Sequence, residues 1–294
     1  MLKKTLTTKK GLHALTFLFV ALILLAIPSY FWTKKDVSTL AGRYNSPLSP
    51  IIMIPGSSAS ADRFDGLVGK INKKYDEHHS VLELTVHTND TITYKGSIRN
   101  GDTRPFIVVG FENNQDGYDN IKKQARWFDI AFEALKKRYK FNNFDAFGHS
   151  NGGLIWTYYL ENYFDDNSIH LHKMLTVGTP YNFEEVNSSK RTEMLNNFIK
   201  NRDKLPSNLT YYSVAGTKVY TDDGIVPIGS VDAGKYIFEG VAKHYTLITL
   251  TGDNAQHSDM LDNQQFISLF HQYIINDGVN PPNSAHKPSK QTTR

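Results

Sequence analysis

Gly148-His149-Ser150-Asn151-Gly152-Gly153 is the stretch on which the reading of this chain turns. A short, mainly apolar run, 144–147, leads into it, and Leu154, Ile155, Trp156, Tyr158, Tyr159 and Leu160 follow with helical crowding. Strand, tight turn and helix in that order read as a nucleophile elbow, a turn that lifts one serine hydroxyl into a cleft. Glycines two positions to either side of Ser150 fit a strained backbone that leaves no room for a β-carbon. The pattern alone is weak evidence, so the rest of the chain has to supply the partners.

Working outward from the elbow, the neighbouring segments alternate between buried strands and amphipathic helices. Residues 51–54 are short, β-branched and bounded by prolines, as suits a buried parallel strand. Residues 81–86 and 91–95 alternate around Asn89 and Asp90 and predict a hairpin. A strand at 106–109 precedes a helix that Asp119 could cap, with Ile121, Ala125, Phe128, Phe132 and Leu135 on one face. Further strands are expected at 173–177, 209–214 and 245–250, and a closing helix at 263–275. This order predicts an α/β fold of the α/β-hydrolase type, a mainly parallel sheet flanked by helices. Residues 183–207 are mostly polar with one amphipathic piece and could form a small helical cap.

A serine hydroxyl needs a base to take its proton, and the base needs an acid to hold its tautomer. Behind this kind of elbow the chain order is serine, acid, histidine. Of the eleven histidines, six follow Ser150. His170 and His172 come too early, His244 opens a strand, His271 falls inside a helix and His286 lies near the end of the chain. His257 alone sits in a loop between the last strand and the last helix, where open α/β sheets build their sites. For the acid, Asp223 begins the run Asp223-Gly224-Ile225-Val226-Pro227; Asp222 and Asp253 remain alternatives. By position the backbone N–H of Asn151 and that of Ser57, with Ser58 as the alternative, would bind a developing oxyanion. Ser58, His149 and Tyr181 are expected around the substrate.

Composition narrows the partners. The chain has no cysteine, which excludes a disulfide framework, a thiolate metal site and a cysteine nucleophile. Six of the 33 basic residues lie in the first 35 positions, which hold no acid. The other 27 are set against 29 acidic residues, so the formal charge of +4 gives no support to nucleic-acid binding. Leu12 to Trp32 is almost wholly apolar and long enough to cross a bilayer core of roughly 30 Å. Four lysines precede it and two follow, which predicts a single-pass anchor with the C-terminal part outside, or a secreted protein if the segment is cleaved. The expected organisation is an anchor or signal over 1–35, a linker over 36–49, a folded domain over 50–276 and a disordered tail over 277–294. No metal or cofactor is implied, and the histidine pairs 78/79 and 170/172 read as solvated surface residues.

With these residues in view, the chain resembles a family of α/β-hydrolases described as membrane-anchored, cell-surface hydrolases of Gram-positive bacteria, a domain family of unknown function. The resemblance rests on Ile54-Pro55-Gly56, the elbow, Gly178-Thr179-Pro180, the run 223–227, and His257 with Ser258, and it covers about residues 50–275. Pro55 departs from it, since many relatives carry histidine there. It implies Ser150, Asp223 and His257 as the catalytic triad and hydrolysis of small carboxylic esters of short to medium acyl length. Acyl transfer or amide cleavage by the same triad, and a non-catalytic surface module, are the competing expectations.

Overall fold

The structure, a computed structural model, describes residues 9–44, 46–165, 169–187, 190–218 and 220–276. The chain divides into two compact units, Met1–Ser46 and Pro47–Arg294. The expected tail over 277–294 lies outside the described residues.

The first unit contains one helix, α1 (Lys9–Tyr44), which includes Pro28. Its Gly11–Lys35 stretch is long and apolar enough to cross a membrane, and its apolar side chains face outward all round. The segment expected as a linker is therefore helical as far as Tyr44. No proline stands between Pro28 and Pro47, and a nucleated helix propagates through polar residues and single glycines at modest cost. Pro47 and Pro50 fall in the extended stretch that follows.

The second unit is built on an eight-stranded sheet in the order β3-β2-β4-β1-β5-β6-β7-β8. The strands are β1 (Ile51–Ile54), β2 (Val81–Val86), β3 (Ile92–Gly96), β4 (Phe106–Phe111), β5 (Asn143–His149), β6 (His170–Val177), β7 (Thr210–Gly216) and β8 (His244–Leu250). All neighbours pair in parallel except β2 and β3, the expected hairpin. Central β1 and β4 are buried on both faces, which is why they read as unbroken apolar runs.

Alternate residues of the central strands divide the core into two layers. Ile52, Ile54, Ile107 and Val109 point to the side covered by α3 (Tyr118–Tyr139), α4 (Asn151–Asn162) and α5 (Glu193–Asn201). Ile51, Met53, Phe106, Val108 and Phe147 point to the side covered by α2 (Asp65–Tyr75) and α8 (Gln264–Phe270). Two short helices, α6 (Ile228–Asp232) and α7 (Lys235–Phe238), connect β7 to β8.

Two expectations need correction. Asp119 does not cap α3: Gly117 holds the cap position, and Asp119, inside the first turn, pairs with Lys122 at 2.7 Å. The segment 183–207 does not arch over the cleft as a helical lid. Its helix α5 is capped by Thr192 and lays Met194, Leu195 and Phe198 into the core, because that apolar face is better buried against the body than left over solvent. The closing helix stands where it is expected, with Gln264–Phe270 continuing as one wider turn over His271–Ile275.

Candidate active site

Because β1, β4, β5, β6, β7 and β8 run in the same direction, the loops that follow them gather at one edge of the sheet. At the end of β5, Ser150 adopts φ +54° and ψ −128°, outside the regions open to most L-residues. Such a conformation costs about 1–3 kcal/mol and has to be held from outside. The Ser150 N–H donates to the Val177 carbonyl at 2.9 Å, and its own carbonyl accepts from Gly153 N–H and Thr179 Oγ1, both at 3.0 Å. The flanking glycines answer to close approach rather than to flexibility. A β-carbon on Gly148 would stand 2.6 Å from Gly153 N, and one on Gly152 would stand 2.0 Å from the Ile54 carbonyl oxygen.

The structure brings Ser150, His257 and Asp223 into one hydrogen-bonded chain. Ser150 Oγ lies 2.9 Å from His257 Nε2, and His257 Nδ1 lies 2.7 Å from Asp223 Oδ2. The other carboxylate oxygen of Asp223 accepts the N–H groups of Ile225 at 3.0 Å and Val226 at 2.7 Å. That occupied oxygen leaves Oδ2 to fix the imidazole with its proton on Nδ1, so Nε2 is free to accept from the serine. All three residues are buried. The alternatives stand apart: Asp222 turns its carboxylate to Gly224 N–H at 2.8 Å, and Asp253 is exposed.

His149 serves the frame as well as lining the cleft. Its Nε2–H donates to the His257 main-chain carbonyl at 3.0 Å, while the His257 N–H donates to the Asp223 carbonyl at 2.9 Å. Both peptide groups of the His257 loop are thus tied down. Burial, with His257 and Arg63 nearby, pushes the His149 pKa down to about 3, so it stays neutral.

Around the serine lies a cleft of about 440 Å³, to which Ser57, Ser58, His149 and Asn151 all contribute. Asn151 opens α4, so its N–H lies at the unsatisfied end of the helix, and its side chain donates to Asp116 Oδ1 at 2.6 Å. The Ser58 N–H is committed to the Asn114 carbonyl at 2.8 Å, which removes it as an oxyanion donor and leaves Ser57.

Tyr181 does not reach the cleft. It is fully buried in the helix-covered core, with its hydroxyl 2.7 Å from that of Tyr211, because the turn after β6 sends its ring back under the sheet edge. Nor is His79 a solvated histidine: Nδ1 lies 2.8 Å from the Arg104 carbonyl and Nε2 lies 3.1 Å from Glu77. His172 is half-buried, and burial lowers its pKa. Arg63, Asp116 and Phe183 line the cleft without having been singled out in the sequence, and Ile225 lines it from the run that holds Asp223. Asp116, Phe183 and Ile225 fall in loops after β4, β6 and β7, so the rule that found His257 would have found their loops, though not their side-chain directions.

The family described as "Alpha/beta hydrolase of unknown function (DUF915)" matches residues 39–277. Among solved structures, a Lactobacillus plantarum WCFS1 protein provisionally named a cell surface hydrolase is 51% identical. The match covers 77% of this chain and 91% of that one at a TM-score of 0.71. The product of the lin2722 gene of Listeria innocua is 30% identical over 79% of this chain and 96% of that one, also at 0.71. A search of curated proteins finds no match.

Proposed function

The chain belongs to this DUF915 family of α/β-hydrolases, and we propose that it is a serine hydrolase of carboxylic esters, held at the outer face of the cell membrane by α1. The observation that carries the reading is the buried chain from Ser150 Oγ through His257 to Asp223, with its 2.9 and 2.7 Å links. Ser150 Oγ forms a bond to the ester carbonyl carbon as its proton passes to His257 Nε2. The carbonyl oxygen, now an anion, is received by the N–H groups of Asn151 and Ser57. His257 returns the proton to the departing alcohol as the C–O bond breaks, leaving an acyl-enzyme. Water, deprotonated by the same nitrogen, then releases the acid and restores the serine. Asp223 stays ionised throughout and stabilises the imidazolium. Attachment to the membrane is supported by the length and all-round apolar character of Gly11–Lys35, and outward orientation by the excess of lysines before it and by the name given to the Lactobacillus relative.

The test is active-site labelling of the full-length chain with a fluorophosphonate. Wild type is expected to take up one label and lose esterase activity in step, and Ser150→Ala to take up none. Equal labelling of folded wild type and Ser150→Ala would refute the assignment.

A further inference from the structure

The cleft around Ser150 has two unlike walls, and the strand order separates them. β4 and β1 lie on one side of β5, and their loops bring Ser58, Ser60, Asp62 and Asp116 to the cleft. β6 and β7 lie on the other side, and their loops bring Pro180, Phe183, Ile225 and Val226. One wall offers hydroxyls and carboxylates, and the other is hydrocarbon except for the exposed Glu184 beside Phe183.

The loops of the second wall also carry exposed apolar side chains. Among the described residues of the second unit, the most exposed large apolar side chains are Tyr220 at 95%, Val186 at 74% and Ile225 at 57%, with none of the others above 40%. Tyr220 and Ile225 share the loop after β7, and Val186 follows Phe183 in the loop after β6. Scattered exposed apolar residues are ordinary, but these three share the two loops that build one wall of one cleft. Charge adds a second constraint. The carboxylates of Asp62, Asp116 and Glu184 line the cleft against a single guanidinium, Arg63, which donates to the Ser258 carbonyl at 2.6 Å.

We propose that the substrate is an amphipathic ester that is neutral or cationic. Its hydrocarbon half lies along Phe183, Ile225 and Val226 and leaves past Val186 and Tyr220. Its other half carries hydroxyl or amino donors to Ser58, Ser60 and the free lone pairs of Asp62 and Asp116. An ester bearing a free carboxylate or phosphate meets repulsion from three acids that line the cleft against one guanidinium. This inference rests on the serine-hydrolase reading above.

The full-length chain in phospholipid nanodiscs would be given two series of soluble esters. One lengthens the acyl chain from two to eight carbons on glycerol, and the other lengthens a simple alcohol on a fixed acetyl group. Half-burial of each methylene predicts that kcat/KM rises about twofold per carbon in one series and stays flat in the other. Among butyryl esters, the choline ester is expected to match or exceed a neutral ester of equal length, and the glycolate ester to be at least tenfold slower. Ile225→Ser, at an exposed position, should flatten the responsive series. Asp62→Asn with Glu184→Gln, both exposed, should shrink the penalty on glycolate at least threefold. A rise in both series, a rise in neither, or equal rates on neutral and anionic esters would overturn the proposal. Fluorophosphonate labelling separates the two levels: a labelled enzyme with the wrong preferences removes this inference alone, whereas loss of both labelling and turnover removes the hydrolase reading beneath it.

Discussion

Two clefts of nearly equal volume open at opposite ends of the sheet, about 440 Å³ after the carboxyl ends of the strands and about 450 Å³ before the amino ends of β2 and β4. Each has a histidine set against a carboxylate. Around Ser150 the chain of hydrogen bonds is directional: two backbone amides occupy one oxygen of Asp223, the other takes His257 Nδ1, and the remaining ring nitrogen meets a strained serine. At the other end Glu77 divides its oxygens between His79 at 3.1 Å and His271 at 2.9 Å. The remaining nitrogen of His79 lies against the Arg104 carbonyl, and the His271 ring stacks on Tyr75 at 3.3 Å. Both oxygens of Glu77 and both ring nitrogens of His79 there terminate in structural partners. A histidine beside an acid is therefore no sign of catalysis; what distinguishes the first cleft is a strained hydroxyl at the end of the chain and an N–H at a helix end beside it.

The comparison breaks most visibly if the two histidines behave alike. His257→Ala is expected to lower kcat/KM by at least about 10³-fold, since removal of one member of such a unit costs nearly as much as removal of all. His79→Gln should leave it within about twofold. Next in size, Asp223→Asn should lower kcat by about 10²- to 10⁴-fold with little change in KM, because it leaves the imidazole with the wrong tautomer. Glu77→Gln should leave both parameters alone. Steady-state kinetics on one soluble ester checks all four variants.

A smaller effect tests the frame rather than the chemistry. Gly152→Ala would drive a β-carbon to 2.0 Å from the Ile54 carbonyl, which can be relieved only by separating α4 from β1. Overpacking of this kind costs on the order of 3 kcal/mol, or roughly 6–12 °C in Tm for a domain of this size. Because β1 leads directly into the Ser57 loop, the variant should also lose activity while still folded at 25 °C. Unchanged Tm would show that the elbow is looser than its contacts imply.

Much of this site was legible because its parts obey order along the chain. The elbow was visible as strand, turn and helix, and the loops that hold Asp223 and His257 followed from which loops lie at the carboxyl edge of a parallel sheet, with Asp222 and Asp253 left open as the acid. What stayed hidden depends on side-chain direction or on distant partners. Tyr181 stands in a loop at the right edge, yet its ring turns inward to Tyr211, and nothing local in Gly178-Thr179-Pro180 encodes that. The Asn151 side chain meets Asp116 across 35 positions, and His149 meets the His257 carbonyl across 108, contacts that only the closed fold creates. The helical course of residues 36–44 was missed for the opposite reason: polar composition suggested a linker where no residue breaks the helix that precedes it.

The finest distinction between the two ends is the pH at which each begins to destabilise the fold. His149 is held neutral, with its pKa depressed from 6.5 to about 3. Between those values the unfolded chain binds the extra proton, so stability is complete above about pH 6.5 and declines as pH falls toward 3. From pH 6.5 to 5 the loss approaches about 2 kcal/mol. At the other end, burial raises the Glu77 pKa, but the hydrogen bonds from His271 and His79 outweigh it and hold the carboxyl below its ordinary 4.5. That contribution is present above about 4.5 and is lost only as pH falls through the lowered value. Because Glu77 is partly exposed it amounts to about 1 kcal/mol or less. Glu161 works in the reverse sense, since burial pushes its carboxyl up to about 9 and its stabilisation declines as pH rises from 4.5. The absolute profile is therefore a sum, and differences between variants are the informative quantity. His149→Gln, which keeps a donor for the His257 carbonyl, should reduce the drop in Tm between pH 7 and pH 5, whereas Glu77→Gln should remove the carboxylate's own contribution to the profile below about pH 4.5. Thermal unfolding of the three proteins across pH 7 to 4 makes the measurement. Coincident profiles for His149→Gln and wild type would mean that the buried imidazole beside Ser150 is not the acid-sensitive element of the proposed active end.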